Sequence, residues 1–188
     1  MKKVILFAAI LFAGVSVAKA DETPVETATS TLNVNLYGFQ ELIVNGTDGG
    51  DVVNLDYRTA AEYKAGVTAK KPNHLIVSSA GGFNITVQSS GNLTTEHESE
   101  AGKIIAASSI KITSEEGDAN PLTGAVSTTV EALSTAPQSL ITSTKGGVNK
   151  TFDISYTGAG SDKYIKNYIS GESPTIYTTT VTYTLTAK

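Results

Sequence analysis

The sequence predicts an all-β protein, an immunoglobulin-like β-sandwich, on three observations. The first is the C-terminal stretch from Pro174. Tyr177, Thr179, Val181, Tyr183, Leu185 and Ala187 alternate with Ile176, Thr178, Thr180, Thr182, Thr184 and Thr186. A period of two is what a strand imposes, because successive side chains point to opposite faces. The second is that similar segments recur along the chain at hairpin spacing, separated by Gly- and Asn-rich turns. The third is composition: Thr, Val, Ile and Tyr fill these segments, and such residues suit a pleated, half-buried surface.

The elements follow in order. Lys2 and Lys3, the apolar run Val4 to Val17 and the small residues of Ala18-Lys19-Ala20 form a signal peptide, expected to be cleaved after Ala20. The run is shorter than a membrane-spanning helix needs, and no second candidate follows, so no membrane span is expected after cleavage. Residues 21–30 are acidic, Thr-rich and carry Pro24, and read as a flexible leader. Residues 31–188 make one β-sandwich domain.

Leu32, Val34 and Leu36 alternate with Asn33 and Asn35 as a first half-buried strand. Gln40 to Val44 is the next. Asn45 to Asp51 is a turn, and Val53, Leu55 and Tyr57 return as the second arm of a hairpin. Thr59 and Glu62 have capping-box spacing ahead of Gly66, so 59–66 is a short connector helix. Strands are expected at His74–Ser78, Phe83–Gln88 and around Ile110 and Ile112. Weaker ones fall at Ala125–Leu133 and Gln138–Thr144. A good one is Thr151–Thr157, with Phe152, Ile154 and Tyr156 on one face. The loop Gly158–Gly171 has room for one helical turn. The final strand, Ile176 to Ala187, would span roughly 40 Å at ~3.3 Å per residue. Leu75–Asn84 and Leu140–Asn149 share six positions of ten, Gly-Gly included, which reads as two hairpins using the same turn or as a duplication.

Charge and composition exclude several functions. The whole chain carries 14 Lys+Arg against 18 Asp+Glu, and loss of Lys2, Lys3 and Lys19 leaves a net charge of −7. Arg58 is the only arginine. A basic stripe for nucleic acid is absent. There is no cysteine, which excludes a disulfide framework, thiolate metal sites and a cysteine nucleophile.

Candidate chemistry is sparse. His74 sits in an expected strand and His97 beside Glu96 and Glu98. Neither has a spaced partner, and no nucleophile elbow or zinc-binding helix motif occurs. Asn45, Asp48 and Asp51, and separately Glu96, Glu98 and Glu100, could face a hard cation, but neither spacing matches a calcium loop. Solvated loop charge is the simpler reading. Gly49-Gly50 lacks the Lys-Ser/Thr of a phosphate loop. Tyr164, Tyr168 and Tyr177 cluster around one loop and could form a platform for a sugar face, or pack at the rim with their hydroxyls in water. Tryptophan, the strongest platform residue, is absent. No catalytic residue, metal site or cofactor is assigned.

Four segments carry a resemblance. They are Leu75 to Phe83, Ser143 to Asn149, Tyr156 to Gly160 with its Tyr-x-Gly-x-Gly spacing, and the closing Val181-Thr182-Tyr183-Thr184-Leu185. Through them the mature chain resembles small exported β-sandwich proteins of Bacteroidota-type bacteria. The closing segment is also similar to pilin-like and spore-coat-U-like surface domains, though the disulfide common in pilins is missing. The resemblance implies an immunoglobulin-like sandwich that assembles on a cell surface. Export implies the periplasm, the outer surface or the outside of the cell. Export, the missing catalytic constellation and the Thr-rich, β-rich chain imply a structural or adhesive role, with the protein itself or another surface protein as partner. The alternative is a non-enzymatic binding module for cell-wall or other polysaccharide.

Overall fold

The computed structural model describes residues 26–46, 52–96 and 103–188. Its elements are β1 (Gln40–Val44), α1 (Ala60–Ala65), β2 (Val67–Ser79), β3 (Phe83–Ser89), β4 (Leu93–Thr94), β5 (Ile104–Ile105), β6 (Ile110–Glu116), β7 (Val126–Ser127), β8 (Gln138–Ser143), β9 (Gly147–Gly158) and β10 (Val181–Ala187). Two four-stranded antiparallel sheets, ordered β1-β2-β9-β6 and β10-β3-β8-β7, pack face to face as the expected all-β sandwich. β4 and β5 form a small separate ladder.

The core lies between the two sheets. Leu75, Val77 and Ile154 face Ile85, Val87 and Leu140, all fully buried. The alternation of β3 is complete, with Phe83, Ile85 and Val87 inward and Asn84, Thr86 and Gln88 outward. β10 behaves likewise. Val181, Tyr183 and Leu185 pack on the core while Thr182, Thr184 and Thr186 are exposed. Burial of those apolar groups sets the face, because an inward threonine hydroxyl would need a partner.

Several expectations need correction. Residues 26–35, taken by themselves, contain no strand, and neither do residues 36–39. Leu32 is 88% and Val34 75% exposed. Alternation specifies a strand only where something covers one face and pairs the backbone. Residues 52–58 keep the alternation, with Val53, Leu55 and Tyr57 half-buried, yet form no strand, because β1 pairs with β2 instead. The final strand is shorter than expected: it begins at Val181, preceded by a single bridge from Thr178 to Thr94. The signal peptide lies outside the described residues, as do Asp48, Gly49, Gly50, Asp51, His97, Glu98 and Glu100.

The two echoing segments are not hairpins. Leu75–Asn84 runs from β2 into β3 and Leu140–Asn149 from β8 into β9, so each crosses from one sheet to the other. Their Gly-Gly turns pack back to back. A Cβ on Gly82 would lie 2.9 Å from the carbonyl oxygen of Ser143.

The connector helix is as expected. The Thr59 hydroxyl accepts from the Glu62 N–H, and the Glu62 carboxylate accepts from the Thr59 N–H at 2.7 Å. The bond from the Arg58 N–H, and then those from the Thr59 N–H and hydroxyl, hold the Glu62 carboxyl below its ordinary pKa. Gly66 ends the helix at φ +87°, a conformation side chains avoid.

β2 starts earlier than its polar sequence suggested. Lys70, Lys71, Pro72 and Asn73 precede its apolar part, and the β2–β9 register slips between Lys71 and Leu75. Asp153 of β9 holds this bulge. Its side chain is only 5% exposed. One carboxylate oxygen accepts from the Asn73 N–H at 2.7 Å, the other meets the Lys70 ammonium at 3.1 Å. Lys70 also pairs with Glu115 at 2.8 Å. Asp153→Ala would strand the Asn73 N–H at φ +50°. It is expected to cost about 1–3 kcal/mol, read as a lower urea midpoint with unchanged slope.

Candidate functional site

The three tyrosines singled out above stand in unlike environments. Tyr164 is buried and ties distant strands together. Its hydroxyl lies 2.6 Å from the Ser109 hydroxyl, and it accepts from the Ala159 N–H at 3.1 Å. Its ring meets Tyr57 edge-on, with centroids 5.2 Å apart. It therefore joins the start of β6 to the end of β9, and its ring is closed to a ligand. Tyr57 donates to the Ala159 carbonyl, and burial pushes its hydroxyl pKa up to about 12. Tyr177 is half-buried and donates to the Asn167 carbonyl at 2.9 Å. Tyr168 alone of the three is mostly exposed, at 52%, and donates to the Glu172 carbonyl. The three rings do not form one platform.

The single helical turn expected in this loop is a 3₁₀ turn at Ile165–Asn167. A separate open groove of about 450 Å³ is lined by Thr94, Thr95, Glu96, Glu172, Pro174, Ile176 and Thr178. Ile176 is exposed there beside two carboxylates and three hydroxyls. None of the three tyrosines lines the groove. Its residues come from β4 and the run before β10, which the Thr94–Thr178 bridge brings together. The alternating sequence concealed this, because it read 176–187 as one uninterrupted strand.

A second group was not anticipated. His74 of β2, Tyr156 of β9 and Tyr183 of β10 form a buried polar chain across the sheets. The His74 Nε2 lies 3.0 Å from the Tyr156 hydroxyl, which is 2.5 Å from the Tyr183 hydroxyl. Burial raises the hydroxyl pKa of Tyr156 to about 12 and that of Tyr183 further. Burial, and then the nearby Lys71 charge, lowers that of His74. The imidazole is neutral in the fold at neutral pH, and it is buried with its Nε2 against the Tyr156 hydroxyl. Only its apolar neighbour Leu75 marked it in the sequence, and pairing across two sheets leaves no spacing signal.

That arrangement sets a pH dependence. The unfolded chain binds a proton at His74 near the ordinary pKa of ~6.5, whereas the folded chain resists it. Stability contributed by the neutral ring is present above that pKa and lost as pH falls through it. Urea midpoints between about pH 7 and about pH 5 should fall more in the parent than in His74→Gln.

The third feature is a surface. Thr182, Thr184 and Thr186 of β10 stand beside Gln88, Thr86 and Asn84 of β3, and these beside Ser139 and Thr142 of β8. The Ser139 hydroxyl donates to the Asn84 side-chain oxygen at 2.8 Å. None of these eight side chains is charged. The outer face of the other sheet carries Lys70, Lys111 and Glu115. Among the described residues no group of three or more His, Asp or Glu is placed to hold a metal ion. No helix there is long and apolar enough to cross a membrane.

Compared with known protein families, the chain matches none. No curated protein is detectably similar to it.

Proposed function

We propose that this is an exported surface protein with a non-enzymatic structural or adhesive role, a subunit of a surface assembly. The observation that carries this reading is the uncharged hydroxyl and amide face of β10, β3 and β8 on a chain with net charge −4. A face without charge offers hydrogen bonds to a neighbour without like-charge repulsion. The Lys2-Lys3 start and following apolar run supply the export route. The buried His74 supports a scaffold role, since its ring nitrogen is engaged inside the fold.

The second reading is a polysaccharide-binding module, and the groove beside Tyr168 favours it. Ile176 and Pro174 could meet the apolar face of a sugar, while Glu96 and Glu172 accept from its hydroxyls. A glycan array with the mature chain separates the two. The structural reading expects no saccharide bound above background. Binding that disappears in Tyr168→Ala and Ile176→Ala, with folding retained, would favour the module. Tyr164→Ala is a poor probe, because it removes a buried clamp.

A further inference from the structure

The two sheets present four edge strands, and three are guarded against pairing with another chain. β1 carries Glu41, β6 carries Lys111, Glu115 and Glu116, and β7 is only two residues long. Charges and short length are the usual protections of an edge. β10 has neither. Val181-Thr182-Tyr183-Thr184-Leu185-Thr186-Ala187 is seven residues long, without charge or proline, and pairs β3 through seven successive residues with no bulge.

The ladder shows which backbone groups are free. The Thr180 carbonyl accepts from the Ser90 N–H, and the Lys188 N–H donates to the Gly82 carbonyl. Even-numbered residues of this strand therefore face β3, by the alternation of an antiparallel pair. The N–H and C=O groups of Val181, Tyr183 and Leu185 point to the open edge. Among the described residues the backbone of β10 pairs with β3 alone; β1 of the other sheet comes near it without a backbone hydrogen bond.

We infer that β10 pairs antiparallel with β10 of a second copy of this chain, about a twofold axis at Thr184, joining two four-stranded sheets into one of eight. This rests on the structural reading above and names its contact. Each feature of the strand fits its own copy. An axis at Thr184 overlaps all seven residues and places Tyr183 opposite Leu185 of the other copy. It keeps every threonine on the outer face and every apolar residue on the core face, as an axis on a residue must. Thr182 then faces Thr186, a favourable cross-strand pair. Two acidic molecules meet along strands that carry no charge. The Thr184 side chains meet at a non-hydrogen-bonded position, where Cβ atoms stand ~4.5–5.5 Å apart.

The chain has no cysteine, so Thr184→Cys gives a single thiol at the axis. Under mild oxidation it should form a reducible covalent dimer, and Ser127→Cys on the β7 edge should not. Sedimentation should show the unmodified mature chain as a dimer. Thr182→Lys with Thr186→Lys, and separately Thr182→Glu with Thr186→Glu, should each raise the dimer Kd about tenfold or more. Mixing those two variants should restore a dimer, because opposite charges then face each other. All these positions are exposed, so each variant should keep the parent's far-ultraviolet circular dichroism spectrum, and its thermal transition should fall only by the stability that dimerisation lends the parent. A chain monomeric at every concentration, charge variants that still dimerise, or a mixture that stays monomeric would overturn the contact. So would an open-ended ladder of oligomers, which a closed twofold forbids. These readouts use purified protein. Labelling of intact cells tests the surface role independently, so either can fail alone.

Discussion

Phe152→Ala is expected to destabilise the sandwich by about 3–5 kcal/mol, the range for emptying a large aromatic site in a core. Phe152 is fully buried in β9, the strand that pairs with both β2 and β6. Its ring meets Phe83 of the opposite sheet edge-on, with centroids 6.5 Å apart. Truncation removes the transfer free energy of the ring and leaves a cavity. β9 is held from both sides, so the cavity cannot collapse easily. Domains of this size are stable by only ~5–15 kcal/mol, so the loss would be a large share. Urea denaturation should show a much lower midpoint and an unchanged slope. Leu185→Ala should cost less, because Leu185 is half-buried at the sheet edge. A Phe152→Ala loss below about 1 kcal/mol would contradict the packing described.

Gly146→Ala is expected to cost about 1–3 kcal/mol or more, while Gly81→Ala stays within about 0.5 kcal/mol. The two glycines occupy equivalent positions in the echoing segments. Their surroundings differ. A Cβ on Gly146 would collide with the Ser79 carbonyl oxygen and approach the Ala80 carbonyl carbon to 2.8 Å. Both are backbone and cannot rotate away. A Cβ on Gly81 meets nothing within 4 Å. The contrast follows from two crossover turns packed together, the second seated on the first. Independent hairpins would give the two variants equal effects. Thermal melts of both decide between these arrangements.

The fold was legible where burial and local chemistry agree. β3, β8, β9 and the capped helix α1 were placed by alternation, by Phe152, Ile154 and Tyr156, and by Thr59 with Glu62. The faces of β10 were read correctly because apolar and hydroxyl residues there never break step. Elsewhere pattern and structure parted for physical reasons. Val53, Leu55 and Tyr57 alternate because they cover the core, without hydrogen-bonding as a strand. Lys70 to Asn73 look like a loop but enter a strand, because Asp153 holds the bulge between them. The Gly-Gly echo was visible, yet composition cannot say whether a turn stays in one sheet or crosses to the other. The candidate platform was legible only as residue types. Tyr164 was spent on the fold, and the tie between Tyr156 and Tyr183 requires knowing which strands face across the core.

The surface role is tested most directly by labelling intact cells of the native host with an antibody to the mature chain, before and after permeabilisation. The expected result is full labelling without permeabilisation, and its loss when intact cells are treated with protease. Signal that appears only in permeabilised cells and resists external protease would contradict a role at the surface.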